Sequence, residues 1–534
     1  MSPSVITLQH PALGPIRGKA HNGVVQYLGI KYASLSHRFS IPELYSGAGG
    51  SIVTDATQLG PAVIGLPNGC KAEQALIQQT LPLPDFPPQS DTEGLNLTIT
   101  LPGNPEKSKL PVFVFVHGGG LITGSGTWPQ YDHGAFVRRS AELGKPVIGV
   151  NINYRTGPLG FLTSEELQTA GLAANNGLRD QKVAFQWIRR FISGFGGDPD
   201  QITAIGQSAG AACLTLLLQS DEPLFNRVAL LSGTCLAIRP QPTSVHNQVY
   251  RRFCEAHNLA DGGVDTKMEA INQIDSYTLV ANTPPSVALA PALDEFIHTN
   301  FTLETIKNNS KTGDITTTIP GFGWCDDLLI GDCSLDGNIH QLALAHRKND
   351  IAKQLEISLK KNIPNHDREI ERLLADYGIS TAPDDERAYL KVLEFATDIV
   401  FTVPNDLFAE AWPKSKYVYH IDEPNPWEGP FLGHATHILD VALLFKNFDE
   451  KLDAPARSVG GAFSDNMIKF VNGEAPWKAN TTDDPVAFIY RQGVNEVRED
   501  TSRSVGRKQI LYRLQDSIGL DSILVAFQLF LGGQ

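Results

Sequence analysis

The segment around Ser208 constrains the fold more than any other part of the chain. An apolar, β-prone run at residues 202–205 leads into Gly-Gln-Ser-Ala-Gly at residues 206–210, and an apolar stretch at residues 211–218 follows. This order predicts a buried strand, a sharp turn and a helix, which is the unit from which parallel sheets with covering helices are built. In so tight a turn the residues two before and two after the serine approach neighbouring backbone, so glycine suits both places.

The glycine–serine pattern is weak evidence when taken alone. Glycine accounts for 48 of the 534 residues. A chance Gly-x-Ser-x-Gly is therefore expected in about one of four such chains. Support comes from an apolar run at residues 111–116 that ends in His-Gly-Gly-Gly at residues 117–120. Successive glycines after a buried strand allow backbone N–H groups to point into a cavity and stabilise an acyl oxyanion. A flexible turn is the alternative for the glycines alone, but the two motifs together favour a serine nucleophile.

Apolar strand candidates alternate with helical patterns, which predicts an α/β fold with a central, mainly parallel sheet. In residues 177–191, for example, apolar side chains recur at roughly helical intervals. Two polar spans, residues 240–320 and 342–414, are expected to be helical insertions over the catalytic edge of one domain formed by residues 1–534. The strand candidates are residues 112–116, 147–151, 202–205, 228–231, 328–330 and 417–421.

The composition describes an acidic protein with a large core, and it limits the class of partner. Hydrophobic residues make up 42% of the chain, and the formal net charge is −14. Since no cluster of basic residues could neutralise a run of phosphates, nucleic acid is not expected as a partner. No segment is long enough to span a membrane, and the apolar residues 523–531 are expected to form a packed terminal helix.

The N-terminus and the cysteines predict a cytoplasmic location. Residues 1–15 have neither a basic start nor an uninterrupted apolar core, so they do not resemble a secretory signal. The six cysteines show no Cys-x-x-Cys spacing and are expected to be reduced thiols rather than metal ligands.

Seven motifs precede residues 206–210 in a fixed order. They are Tyr-Leu-Gly-Ile-Lys-Tyr-Ala at residues 27–33 with Arg-Phe at 38–39, Glu-Gly-Leu-Asn-Leu at 93–97, His-Gly-Gly-Gly at 117–120, Asn-Tyr-Arg at 153–155, the segment 157–161, Asn-Gly-Leu-Arg-Asp-Gln at 176–181 and Phe-Gly-Gly-Asp-Pro at 195–199. In these motifs the chain resembles the type-B carboxylesterases, the family of cholinesterases and fungal lipases and esterases. The resemblance covers most of the chain and implies the α/β-hydrolase fold. It also implies a small-molecule ester as substrate and no cofactor, and it leaves the oligomeric state open.

For the chemistry, the resemblance implies a serine, an acid and a histidine in that order along the chain. Ser208 is the implied nucleophile, and Asp336, in an Asp-Gly pair after an apolar run, is the implied acid. Asp332, at the end of the same run, is the alternative acid. Of two histidines, His437 is preferred to His434 because only this choice places an acidic residue three positions later, where the family commonly has one.

The same resemblance implies an oxyanion hole formed by the backbone N–H groups of Gly119, Gly120 and Ala209. Ala209 would begin the helix after the serine. A backbone N–H at that place has no partner within the helix and lies at the positive end of the helix dipole.

A metal site is not expected from the histidines. His434, His437 and Asp440 are spaced by three. On a helix each step of three turns the side chain by roughly 60° around the axis, so the three groups do not converge well on one ion. Neutral imidazole as a general base is the better interpretation.

Two further features of the resemblance concern the scaffold. Arg155 and Asp180 are similar to a buried ion pair that braces the sheet. Secreted members of the family have a cysteine where this chain has Gly94, so Cys70 lacks that partner. We therefore expect a reducing compartment and a freer loop at residues 60–88.

Two alternatives to ester hydrolysis remain open at this point. The same three catalytic groups could serve an acyltransferase, a lactonase or a thioesterase in a biosynthetic pathway. The fold also serves in catalytically silent binding proteins that resemble cholinesterases. Such proteins usually lack one of the three groups, whereas this chain has a candidate for each.

Overall fold

A computed structural model describes residues 4–47, 52–103, 109–259, 262–312, 315–500 and 506–534, and a large sheet is its central feature. In the described residues this sheet has 13 strands, and β4 and β5 form a separate pair. The strands are β1 Ser4–His10, β2 Gly14–His21, β3 Val24–Lys31, β4 Ala33–Ser34, β5 Glu43–Leu44, β6 Thr54–Asp55, β7 Asn96–Pro102, β8 Leu110–Val116, β9 Ile148–Ile152, β10 Gly197–Gln207, β11 Arg227–Leu231, β12 Asp327–Cys333, β13 Lys416–Ile421, β14 Val486–Tyr490 and β15 Glu496–Glu499.

The middle of the sheet is parallel and its margins are antiparallel. The order is β1-β2-β3-β7-β9-β8-β10-β11-β12-β13-β14-β15, with β6 paired to β2. From β9 to β14 every neighbouring pair is parallel, whereas the pairs from β1 to β9 along this order and the pair β14–β15 are antiparallel. All six strand candidates of the sequence overlap strands of the parallel part, and the expectation of an α/β fold with a mainly parallel sheet is confirmed.

Helices cover both faces of the sheet. They are α1 Gly69–Gln74, α2 Gly134–Glu142, α3 Gly157–Phe161, α4 Glu165–Thr169, α5 Asn176–Phe191, α6 Ala209–Leu217, α7 Thr243–Ala256, α8 Val264–Gln273, α9 Ser276–Ala281, α10 Leu303–Thr312, α11 Ile315–Thr318, α12 Gly321–Trp324, α13 Gln341–Leu344, α14 Ile351–Asn362, α15 Asp367–Asp376, α16 Asp385–Thr397, α17 Val403–Ala411, α18 Leu439–Phe445, α19 Ala454–Val471, α20 Gln509–Leu514 and α21 Leu520–Leu531.

Strand β8 shows why both faces need cover. Its valines at 112, 114 and 116 lie in one hydrophobic core, which also receives side chains of α5 and α6. Phe113 and Phe115 lie in a second core, with side chains of α2, α18 and α19. Since successive residues of a strand point to opposite faces, an unbroken apolar run is the pattern of a strand covered on both sides.

The spans at residues 240–320 and 342–414 are rich in helix. Helices α7 to α11 begin within the first span, and α14 to α17 lie within the second. A π-helical turn, Asp398–Thr402, joins α16 to α17. The C-terminal helix α21 packs on α14 and buries much of its own apolar surface. This agrees with the packed terminal helix expected at residues 523–531. None of the helices in the described ranges combines the length and the apolar character required to cross a bilayer.

Arg155 and Asp180 form a buried ion pair, as expected from the sequence. The Arg155 Nη2 atom lies 2.7 Å from Asp180 Oδ1 and its Nε atom 2.8 Å from Oδ2, and both side chains are at most 1% exposed. Arg155 also donates to the carbonyl oxygens of Arg38 and Ser40. The pair thus joins the segment after β9 to the start of α5 and to the chain before β5.

We expect Asp180→Asn to lower the free energy of unfolding by about 3 to 5 kcal/mol, because it leaves the Arg155 guanidinium buried without a countercharge. Urea denaturation measures the change. The matched control is Asp55→Asn, which breaks the ion pair with Arg17 between side chains that are 52% and 47% exposed. That loss should be much smaller, because solvent screens an exposed ion pair and such a pair contributes little to stability. Equal effects of the two substitutions would contradict a bracing role for the buried pair.

Candidate active site

Ser208 lies on a sharp turn between β10 and α6. Its φ and ψ angles are 55° and −124°, an unusual conformation for a residue with a side chain. Its backbone N–H donates to Leu231 O at 2.8 Å, which ties the turn to the end of β11. A Cβ atom added to Gly210 would lie 2.1 Å from Val116 O, so only glycine fits at that place. The close crossing with β8 therefore explains this glycine of the motif.

The glycine loop after β8 adjoins this turn. A Cβ atom placed on Gly118 would lie 3.0 Å from Ser208 Cβ. Gly119 has a φ of +99° and Gly120 a φ of +62°, a region that favours glycine. In the described part of the chain, neither of these two amides donates a hydrogen bond. The N–H of Ala209, at the first position of α6, has no acceptor within its helix.

His437 and Asp336 form a buried pair. His437 Nδ1 lies 2.7 Å from Asp336 Oδ1, and both side chains are almost fully buried. Asp336 follows β12, and its Oδ2 atom accepts the backbone N–H of Cys333 at 2.8 Å. Burial raises the pKa of Asp336 above its usual value, although its hydrogen bond to His437 opposes the shift. A carboxylate in this position holds the imidazole in the tautomer with a proton on Nδ1.

The other ring nitrogen of His437 faces Gln207. Gln207 Nε2 lies 3.2 Å from His437 Nε2, and both groups are buried. With the ring proton on Nδ1, Nε2 carries a lone pair and the amide can donate to it. Among the described residues no hydrogen bond joins Ser208 Oγ to His437. The His437 imidazole therefore lies against Gln207, the residue before Ser208, and forms its hydrogen bond with the Gln207 amide.

An aromatic ring lies beside His437. The ring centroids of Phe401 and His437 are 5.2 Å apart, and Phe401 belongs to the π-helical turn after α16. A π turn inserts an extra residue into a helix and redirects the side chains that follow. The turn thus delivers a large apolar side chain to the imidazole, and no signal in the sequence pattern indicated it.

Two further buried carboxyl groups interact electrostatically with His437. Burial, and then the nearby Asp336, raise the pKa of Asp440 to about 7, and its Oδ2 atom accepts the Ser232 hydroxyl at 3.1 Å. Glu73 accepts hydrogen bonds from Tyr131 and Gln130, and burial raises its pKa. Glu73 also interacts electrostatically with His437. No local signal in the sequence distinguishes Glu73 from a surface glutamate, so its place near the site could not be predicted.

The alternative candidates, Asp332 and His434, lie elsewhere. Asp332 Oδ1 lies 2.6 Å from His420 Nδ1 on the neighbouring strand. Burial acts to raise the pKa of Asp332, but the paired His420, the charge of Lys508 and a hydrogen bond from Thr402 together outweigh it, and the pKa falls below its usual value. His434 contributes backbone hydrogen bonds to its own loop, with Phe431 O and with the N–H of Asn425. In the described part of the chain neither residue forms a hydrogen bond or ion pair with Asp336 or His437, although the charge of Asp332 contributes to the raised pKa of Asp336.

Comparisons with known proteins agree on one family. The model of the carboxylesterase family matches residues 2–488. Lipase 3 of Yarrowia lipolytica is 28% identical over 88% of this chain and 89% of its own length. Phenmedipham hydrolase of Pseudarthrobacter oxydans is 27% identical over 93% of this chain and 97% of its own. Among solved structures, a carboxylesterase of Geobacillus stearothermophilus covers 94% of this chain and 99% of its own with a TM-score of 0.72 at 22% identity, a likeness of fold.

Proposed function

The chain belongs to the carboxylesterase family and is a carboxylic ester hydrolase, and we propose that it works through an acyl-enzyme on Ser208. In this mechanism Ser208 Oγ attacks the ester carbonyl carbon while His437 Nε2 takes the hydroxyl proton. The same proton then passes to the alcohol as the ester bond breaks. Water, deprotonated by His437, hydrolyses the acyl-enzyme and restores the serine. The substrate is a small-molecule ester, and no step requires a cofactor.

The contact between Asp336 and His437 carries this proposal. An imidazole can accept a serine proton on Nε2 only if its own proton stays on Nδ1, and the carboxylate at 2.7 Å favours that tautomer. The carboxylate also stabilises the imidazolium that forms during attack. A buried Asp–His pair that contacts the residue before Ser208, on the same strained turn, supports this chemistry.

The oxyanion hole of the proposal consists of the amides of Gly119, Gly120 and Ala209. Support comes from the free N–H groups of the two glycines and from the place of Ala209 at the start of α6. Donors that point at the developing negative charge act strongly in a buried site, and each is worth about 3 to 4 kcal/mol of transition-state stabilisation.

Gln207 gives the mechanism an additional step. Its amide donates to the lone pair of His437 Nε2, which must accept the Ser208 proton. One lone pair cannot serve both donors at full strength, so the Gln207 amide has to turn away when Ser208 engages the imidazole. Catalytic hydrogen bonds that are absent from the free enzyme commonly form in the complex with substrate.

Labelling with a fluorophosphonate probe and the burst of p-nitrophenol from p-nitrophenyl acetate test the proposal together. We expect stoichiometric labelling, with peptide mapping locating the label on Ser208, and a burst of equal amplitude, because both report an acylated serine. Label on another serine, or steady hydrolysis without labelling, would overturn the assignment of the nucleophile.

We also propose that the protein is cytoplasmic. The cysteines of this chain are free and buried. Burial raises the pKa of the Cys213 thiol to about 12, which keeps it in the unreactive thiol form. Free thiols agree with a reducing compartment.

A further inference from the structure

Two residues of one turn hold His437 from different sides. Asp336 contacts the imidazole, as described above. Asn338, two residues later, accepts the backbone N–H of His437 on its Oδ1 atom at 2.7 Å. The turn between them is itself fixed, because the Gly337 N–H donates to Thr397 Oγ1 at 2.8 Å. The side chain and the backbone of His437 therefore share one rigid support.

The amide of Asn338 continues to a third segment. Its Nδ2 atom donates to Leu76 O at 3.0 Å, and the side chain is fully buried. Because Oδ1 and Nδ2 belong to one planar group, a shift of the Leu76 carbonyl rotates or displaces the acceptor of the His437 N–H. Losing either partner would leave a buried polar group unsatisfied, which costs more than the hydrogen bond itself gains.

A second asparagine, Asn425, joins the same two segments through the neighbouring residues Ile77 and Thr436. Its Nδ2 atom lies 3.0 Å from Ile77 O and 3.2 Å from the hydroxyl of Thr436, the residue before His437. Asn425 is also fully buried. Two consecutive carbonyls, at residues 76 and 77, are thus joined through two asparagines to two consecutive residues, 436 and 437.

We propose that Asn338 and Asn425 are positioning residues that form an amide bridge, which fixes His437 relative to the backbone of residues 76–77. This inference rests on the proposed role of His437 as the general base. The bridge holds the histidine backbone, and Asp336 then sets the direction of the ring. Proton transfer requires the ring nitrogen within hydrogen-bond reach of the serine oxygen, so small displacements of the backbone reduce the rate.

The bridge changes the expectation for the loop at residues 60–88. Because it lacks the cross-link of secreted relatives, this loop is expected from the sequence to be freer. Its residues 76–78 nevertheless form hydrogen bonds with Asn338 and with residues 425–431, which precede His437. Gln78 adds to the bridge, since its Nε2 donates to Trp427 O at 3.1 Å and its Oε1 accepts the N–H of Phe431 at 2.8 Å. Movement of this part of the loop is therefore coupled to the position of the base.

The test compares Asn338→Ala and Asn425→Ala with the wild type, with turnover normalised to active sites counted by the p-nitrophenol burst. We expect each variant to lose about 10-fold to 100-fold in kcat per active site, with KM nearly unchanged, because the base is displaced and the binding surface is not. The double variant should lose less than the product of the single losses, since both asparagines brace the same base.

The matched control is Asn466→Ala, which removes a buried amide that donates to the Tyr490 hydroxyl at 2.9 Å and, among the described residues, does not hydrogen-bond to His437 or to the two asparagines of the bridge. It should lower the melting temperature without changing kcat per active site. Full kcat per active site in Asn338→Ala, with only a lower melting temperature, would overturn the bridge, as would strictly multiplicative losses in the double variant. His437→Ala separates the two proposals. If that variant keeps its turnover, the proposed base is wrong, whereas an inactive His437→Ala beside a fully active Asn338→Ala refutes the bridge alone.

Discussion

Replacing Ser208 with alanine is expected to lower kcat for p-nitrophenyl acyl esters by about a million-fold, the loss seen when a serine hydrolase loses its nucleophile. The fold should survive, because Ser208 uses its backbone N–H to hold the turn and that group remains in alanine. The variant tests the nucleophile directly, since no other described hydroxyl lies at the end of β10. Steady-state hydrolysis and circular dichroism measure the two outcomes.

Ser220→Ala is the matched control for this experiment. Ser220 follows the opposite end of α6, where its Oγ accepts the N–H of Glu222 at 3.2 Å. Its loss should leave turnover near the wild-type value. Substantial turnover in purified Ser208→Ala, above that of a mock preparation, would refute the assignment of the nucleophile.

The second large effect is expected for Asp336→Asn, which should reduce kcat by about 10⁴-fold. The new amide would present an N–H to His437 Nδ1 and so move the ring proton to Nε2. A protonated Nε2 can no longer accept the Ser208 proton. The geometry should stay intact, because the asparagine Oδ1 can still accept the N–H of Cys333.

Asp332→Asn distinguishes the two carboxylates near the end of β12. Asp332 pairs with His420 and not with His437, so this variant should keep most of its turnover even if it is less stable. If Asp332→Asn proves inactive while Asp336→Asn works, the assignment of the acid is wrong. Both variants are measured with the same ester and normalised to folded protein.

The parallel part of the sheet could be predicted because its strands are covered on both faces. Continuous apolar runs such as residues 112–116 are easy to recognise. The antiparallel margin was not predicted. Strand β1, for example, exposes most of its side chains and is held by backbone pairing with β2, so its sequence carries no long apolar run. Pairing of that kind depends on the partner strand more than on local composition.

The candidate site was predictable where a residue sits in a local motif. Ser208, Asp336 and His437 were proposed from such motifs, and the close contact of the last two agrees with the choice of His437 over His434. Gln207 stood inside the motif, but its contact with His437 depends on a residue 230 positions away. Asn338 and Asn425 had no local signal at all, because their role arises from where distant loops meet.

The support of His437 has a consequence for protein synthesis. Asp336 and His437 are 101 positions apart, and Asn338 reaches back 262 positions to Leu76. A nascent chain that has left the ribosome as far as residue 400 contains the proposed nucleophile and the proposed oxyanion donors but not the proposed base, His437. Incomplete chains should therefore not hydrolyse esters. The onset of hydrolysis should show that translation has passed residue 437 and that the hydrogen bonds linking residues 76–77 to residues 436–437 have formed.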